Sequence, residues 1–134
     1  MTKKRNHFLE IAHHSVIISD VERSRHFYGD ILGLEQDRSR PEMSYEGLWF
    51  KVGSQAIHCL CLKNMDPVTG RPAHGGRDRH VCLTATDINA LIDTLEQYYI
   101  DYTRSKSGRQ AIFFRDPDGN AIEVSQSTPH FSQE

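Results

Sequence analysis

This chain says the same thing twice. His13-His14-Ser15-Val16-Ile17-Ile18-Ser19-Asp20 in the first half is answered by His80-Val81-Cys82-Leu83-Thr84-Ala85-Thr86-Asp87 in the second. Each phrase opens on a histidine, runs through β-branched and apolar residues, and closes on an aspartate. The offset is identical at both ends, since 80 − 13 and 87 − 20 are both 67. In a chain of 134 residues, a repeat at half the length favours a single domain assembled from two copies of one supersecondary unit. The two units also end alike, on Gln55-Ala56-Ile57-His58 and Asn120-Ala121-Ile122-Glu123. Each half therefore begins and ends on a side chain able to bind metal. Three imidazoles and one carboxylate suit a borderline divalent ion of the zinc, nickel, cobalt or iron(II) class.

Between these landmarks the elements recur in one order. Residues about 10–19 alternate as a strand, placing His13, Ser15 and Ile17 on one face and His14, Val16 and Ile18 on the other. Asp20 is positioned as the N-cap of a helix that Gly33 stops, with Val21, Phe27, Tyr28, Ile31 and Leu32 on its apolar side. A short strand is expected near residues 35–38. Residues 47–52 and 55–62 read as two strands joined by a hairpin at Gly53-Ser54. The second unit repeats the order: a strand over 80–86, a helix capped by Asp87 and buried through Ile88, Leu91, Ile92 and Leu95, then strands over 100–104, 110–115 and 120–125. Asp116-Pro117-Asp118-Gly119 makes the last tight turn. The expected fold is α+β: two tandem βαβββ modules forming a curved mixed sheet. One domain is expected over residues 8–126, with modules at about 8–63 and 78–126, a Gly- and Pro-rich connector at 64–77 and a flexible tail at 127–134.

Composition removes several classes of function. A net charge of −2 with mixed signs gives no basic face for nucleic acid and no polybasic stretch for lipid. No apolar run approaches a membrane span, and Met1-Thr2-Lys3-Lys4-Arg5 is not followed by a signal-peptide core. Cys59, Cys61 and Cys82, odd in number and set in strands, read as reduced packing residues of a cytoplasmic protein. His7, His26, His74 and His130 fall outside the repeat register and receive no role. Arg104, Lys106 and Arg109 read as a solvated turn, and Tyr45, Trp49, Phe50 and Tyr99 as core aromatics.

The opening His13 to Asp20, the helix run Ser24-Arg25-His26-Phe27-Tyr28 with Leu32-Gly33-Leu34, and the ending Phe114-Arg115-Asp116-Pro117-Asp118-Gly119-Asn120-Ala121-Ile122-Glu123 together resemble the vicinal oxygen chelate superfamily. This is the glyoxalase/bleomycin-resistance/dioxygenase group, and the similarity extends from about Glu10 to Gln126. It implies paired modules curling into a funnel around one metal, which a second chain completes in a symmetric homodimer. The metal ligands implied are His13, His58, His80 and Glu123, with Glu123 also the catalytic base. His13 is preferred to His14 because its register to Asp20 and Phe27 fits the repeat and the family spacing. The ion implied is nickel, zinc, cobalt, manganese or iron(II), acting as a Lewis acid on a small molecule with two adjacent oxygens.

The leading expectation is a glyoxalase I-like lyase or isomerase that converts the hemithioacetal of a 2-oxoaldehyde into a thioester. The sequence departs from that group at His58, where a second glutamate is usual. It departs again at Ile17 and Leu62, where an arginine and an asparagine commonly help to hold glutathione. Glutathione is therefore not supported as the cosubstrate. The alternatives are an extradiol-type dioxygenase using His13, His80 and Glu123 on iron(II), and a fosfomycin or bleomycin resistance-type thiol transferase or binding module.

Overall fold

The computed structural model describes residues 5–128. Its elements run β1 (His13–Ile18), α1 (Val21–Arg25), β2 (Glu35–Gln36), β3 (Gly47–Val52), β4 (Gln55–Cys61), β5 (His80–Ala85), α2 (Ile88–Gln97), β6 (Tyr102–Arg104), β7 (Ala111–Arg115) and β8 (Ala121–Gln126). They form two four-stranded mixed sheets ordered β1-β4-β3-β2 and β5-β8-β7-β6. The fold is thus the expected pair of βαβββ modules. In each, the first strand runs parallel to the last and the remaining pairs are antiparallel.

Local chemistry explains the element boundaries. Asp20 accepts from Arg23 N, and Asp87 accepts from Asn89 N and Ala90 N, so each repeat aspartate satisfies orphan donors at a helix start. The first helix does not stay α-helical. It continues as a π-helical segment over His26–Ile31, with Leu32 N donating to Phe27 O at 3.0 Å. Gly33, at φ +75°, then turns the chain out of the helix. Strand β1 begins at His13, three residues inside the expected limit, because its pairing with β4 starts at His13 opposite Ala56. The expected tail lies largely in residues 129–134, outside the described residues.

One core serves both modules. Val16, Ile18, Phe27, Tyr28, Leu48, Phe50 and Ile57 from the first pack with Ile92, Leu95, Ile112, Phe114, Ile122 and Val124 from the second. Burying each large apolar side chain contributes about 1.5–3 kcal/mol before conformational entropy is subtracted. A polar latch reinforces this core. Tyr28, fully buried, donates its hydroxyl to Asp116 Oδ2 at 2.7 Å. Asn120 Nδ2 donates to Ile17 O at 3.0 Å, and Ser19 donates its backbone N–H and hydroxyl to Asp118 Oδ1. The Asp116–Asn120 turn of the second module is therefore a clamp on β1 and α1 of the first. Among the described residues, no helix is long and apolar enough to cross a membrane.

Candidate metal and catalytic site

Register places the four repeat residues in equivalent positions. His13 pairs with Ala56 and Ser15 with His58 across β1 and β4; His80 pairs with Ala121 and Cys82 with Glu123 across β5 and β8. In both modules the histidine of the first strand sits diagonally from the closing residue of the last, on the same face of its sheet. That face is opposite the core, because Val16, Ile18, Ile57 and Cys59 are buried on the other side. His14 falls on the core side and is half-buried. Burial, followed by the neighbouring charge of His13, holds the His14 imidazole below its ordinary pKa.

In the first module the two imidazoles stack. The His13 and His58 rings lie 3.9 Å apart with an interplanar angle of 16°. Trp49, directly across the strand pair from His58, covers its other face at 4.1 Å and 5°. His58 is thereby held in a three-ring stack. Burial first, then His13, keep its pKa below that of an ordinary imidazole, so its lone pair is available at neutral pH. Near-parallel rings this far apart cannot both contain one ion in their planes. A shared metal requires one ring to turn, and exposed His13, at the end of the stack, is the freer of the two.

In the second module the pair is polar. His80 Nδ1 lies 2.8 Å from the carbonyl of Asp78, which can only accept, so Nδ1 carries the hydrogen. The remaining nitrogen, Nε2, faces Glu123 Oε1 at 3.0 Å. Two lone-pair atoms at that distance must share either a proton or a metal ion. An imidazole of fixed tautomer and a carboxylate are what a borderline divalent ion takes as ligands. Glu123 is only 6% exposed and is also held by Arg109, whose Nη2 donates to Oε2 at 3.0 Å. Beside this pair, Gly75 and Gly76 bring the connector down on Phe113, where a β-carbon on Gly76 would come within 3.1 Å of the Phe113 ring.

The structure brings the four residues together as two pairs rather than one cluster. Among the described residues, no three His, Cys, Asp or Glu side chains within the chain form a metal-sized group. A cavity of about 190 Å³ beside His14, Asp66, Arg71, Asp78 and Asp118 touches none of the four.

Five residues depart from their sequence-based readings, two of them aromatics read as core: Tyr45 is only half-buried, with the Arg40 guanidinium over its ring, and Tyr99 is 93% exposed. Arg109 belongs to the site, although its serine-rich loop carries no periodic signal. Trp49 lies over His58 and not in the core, and the hairpin at Gly53-Ser54 carried that information, because it pairs 49 with 58. Cys82 is exposed on the Glu123 face, with Sγ 3.6 Å from Ser125 Oγ, so it is not a packing residue. Cys59 is buried and Cys61 half-buried, as packing residues should be.

Comparison with known proteins agrees with this architecture. The sequence profile of the Glyoxalase/Bleomycin resistance protein/Dioxygenase superfamily matches residues 10–124. The chain belongs to that superfamily. Among its relatives, Glyoxylase I 4 of Arabidopsis thaliana is 30% identical over 123 residues, covering 88% of this chain and 71% of the relative. Lactoylglutathione lyase of Haemophilus influenzae is 29% identical over 124 residues, covering 86% and 90%. The crystal structure of a glyoxalase family protein from Bacillus anthracis superposes with a TM-score of 0.74 at 25% identity, covering 93% of this chain and all of that one.

Proposed function

We propose that this protein is a metal-dependent, glyoxalase I-like lyase or isomerase acting on a small molecule with two adjacent oxygens, such as the thiol hemithioacetal of a 2-oxoaldehyde. The observation that carries the reading is the His80–Glu123 pair, an imidazole Nε2 and a buried carboxylate oxygen 3.0 Å apart on the face of a glyoxalase-type module opposite the core. Relatives named as glyoxalase I and lactoylglutathione lyase support the class of reaction. His13, His58, His80 and Glu123 would hold the ion. When bound, it supplies Lewis-acid polarisation of the two substrate oxygens.

Glu123 is the base. Its carboxylate takes the proton from the carbon bearing sulfur and hydroxyl, and returning a proton to the adjacent carbonyl carbon completes the isomerisation to a 2-hydroxy thioester. No redox equivalent is consumed. Burial of Glu123 limits its hydration, so little water has to leave the carboxylate before the proton is taken.

The separation of the four residues into two pairs supports a homodimer in which the first-module pair of one chain meets the second-module pair of its copy. The protein is read as cytoplasmic, with neither nucleic acid nor membrane as partner.

The test is thioester formation from methylglyoxal and a panel of low-molecular-weight thiols, with nickel, zinc, cobalt, manganese and iron(II) added in turn. Metal-dependent turnover that falls at least about a hundredfold in Glu123→Gln supports the reading. Equal rates with and without metal would contradict it.

A further inference from the structure

We infer that Arg109 is a substrate-anchoring residue parked on Glu123, and that the substrate carries an anionic group besides its two adjacent oxygens. This rests on the metal reading of His80 and Glu123 above. Glu123 has two carboxylate oxygens and two partners: Oε1 faces His80, and Oε2 accepts from Arg109 Nη2 at 3.0 Å. A divalent ion at the carboxylate brings two positive charges to the place where the guanidinium now sits. Cation and guanidinium then share one carboxylate through its two oxygens and repel each other, and Arg109 is the partner that can leave. Its side chain is 58% exposed, against 7% for Glu123. Its Nε donates to Ser107 Oγ at 3.1 Å, so the arginine stays tethered to its loop when Nη2 lets go.

The surroundings determine what the released guanidinium would bind. The segment Arg104-Ser105-Lys106-Ser107-Gly108-Arg109 holds three cations and no carboxylate. Among the described residues, neither Arg104 nor Lys106 makes an ion pair, while Arg104 lies over the Tyr102 ring at 5.9 Å. Among the described residues Glu123 is thus the one carboxylate paired with this loop, and it compensates Arg109, one of the three cations. Once that carboxylate is engaged elsewhere, the loop offers an uncompensated positive edge next to the reacting atoms. A planar guanidinium in that position matches a carboxylate or phosphonate through paired N–H donors. The same latch also spares Glu123 the cost of an uncompensated buried charge before metal arrives.

The experiment uses cobalt(II) alone, then two hydroxamates with the same chelating head, acetohydroxamate and succinohydroxamate, the second carrying an extra carboxylate. Cobalt affinity and hydroxamate affinity are read by visible absorbance for wild type, Arg109→Gln and Arg109→Lys. Removing the guanidinium is expected to tighten cobalt binding about threefold to tenfold in Arg109→Gln. Wild type is expected to bind succinohydroxamate about tenfold more tightly than acetohydroxamate, with the preference abolished in Arg109→Gln and partly kept in Arg109→Lys. Cobalt binding unchanged by Arg109→Gln, or no hydroxamate preference in wild type, overturns the role of Arg109 and leaves the metal site standing. Absence of cobalt binding in wild type removes the metal site itself, and the Arg109 exchange with it.

Discussion

Trp49 lies flat on His58, ring centroids 4.1 Å apart and planes 5° from parallel. It is the only tryptophan in the chain, so the protein carries a fluorophore against one of its candidate ligands. Adding cobalt(II) or nickel(II) is expected to quench that fluorescence, and His58→Ala should remove most of the quenching while leaving the emission itself. Because Trp49 restrains the imbedded ring, Trp49→Ala should weaken cobalt binding about tenfold. Quenching of the same size in His58→Ala would exclude His58 from the metal.

Asp78 ties the connector to the second sheet. Its nearly buried carboxylate accepts from Arg71 Nε and Arg115 Nη1, each at 2.7 Å, and its carbonyl fixes the His80 tautomer. The Arg71 hydrogen bonds, offset by desolvation and reinforced by Arg115, hold the Asp78 carboxyl far below the usual carboxylate range. A depressed folded-state pKa adds stability that is fully present above the unfolded value, near 4, and is lost as pH falls toward the folded value. Asp78→Asn should therefore cost about 2–3 kcal/mol at neutral pH, and the gap to wild type should narrow as urea unfolding is repeated down to strongly acidic pH. A gap that widens on acidification would contradict the pairing.

The clamp between modules makes a separate claim. Tyr28→Phe deletes the hydroxyl that satisfies buried Asp116 and should cost about 1–3 kcal/mol in urea unfolding. The transition should remain single, since one core spans both modules. Two separated transitions would show that the modules fold independently.

Cysteine chemistry follows burial. Burial, then the Asp116 and Asp118 carboxylates, push the Cys59 thiol up to about 12, whereas Cys82 is exposed. Iodoacetamide at mildly alkaline pH should label Cys82 in the native protein and Cys59 only after unfolding, as peptide mass mapping would reveal. Native labelling of Cys59 ahead of Cys82 would contradict the placement.

Much of this architecture is legible in the chain because local and global signals agree. Asp20 and Asp87 cap helices, alternation puts His13 and not His14 on the face away from the core, and a two-residue hairpin fixes the β3–β4 register. The π-helical segment His26–Ile31 was not legible, because a shift from i−4 to i−5 bonding leaves the apolar spacing of the helix nearly unchanged. Arg109 escaped for a different reason: fourteen residues and a strand separate it from Glu123, and its loop has neither period nor capping signal. The pairing of modules around a site is a matter of how whole sheets are placed, which no periodicity within a strand encodes.

If the site lies between two chains, variants defective in opposite modules should complement. Chains carrying His13→Ala together with His58→Ala, unfolded and refolded with chains carrying His80→Ala together with Glu123→Gln, should regain cobalt binding at one intact site per heterodimer. Failure of the mixture to bind, with each parent folded, would place the site within one chain.

The most direct measurement is metal stoichiometry and affinity for wild type and for His13→Ala, His58→Ala, His80→Ala and Glu123→Gln, by equilibrium dialysis with elemental analysis. One divalent ion per chain, weakened at least about tenfold by every one of the four substitutions, is the result expected of a site shared by both modules. Full-affinity binding that survives loss of His13 and His58 but not of His80 or Glu123 would contradict it, and would assign the metal to the second module alone.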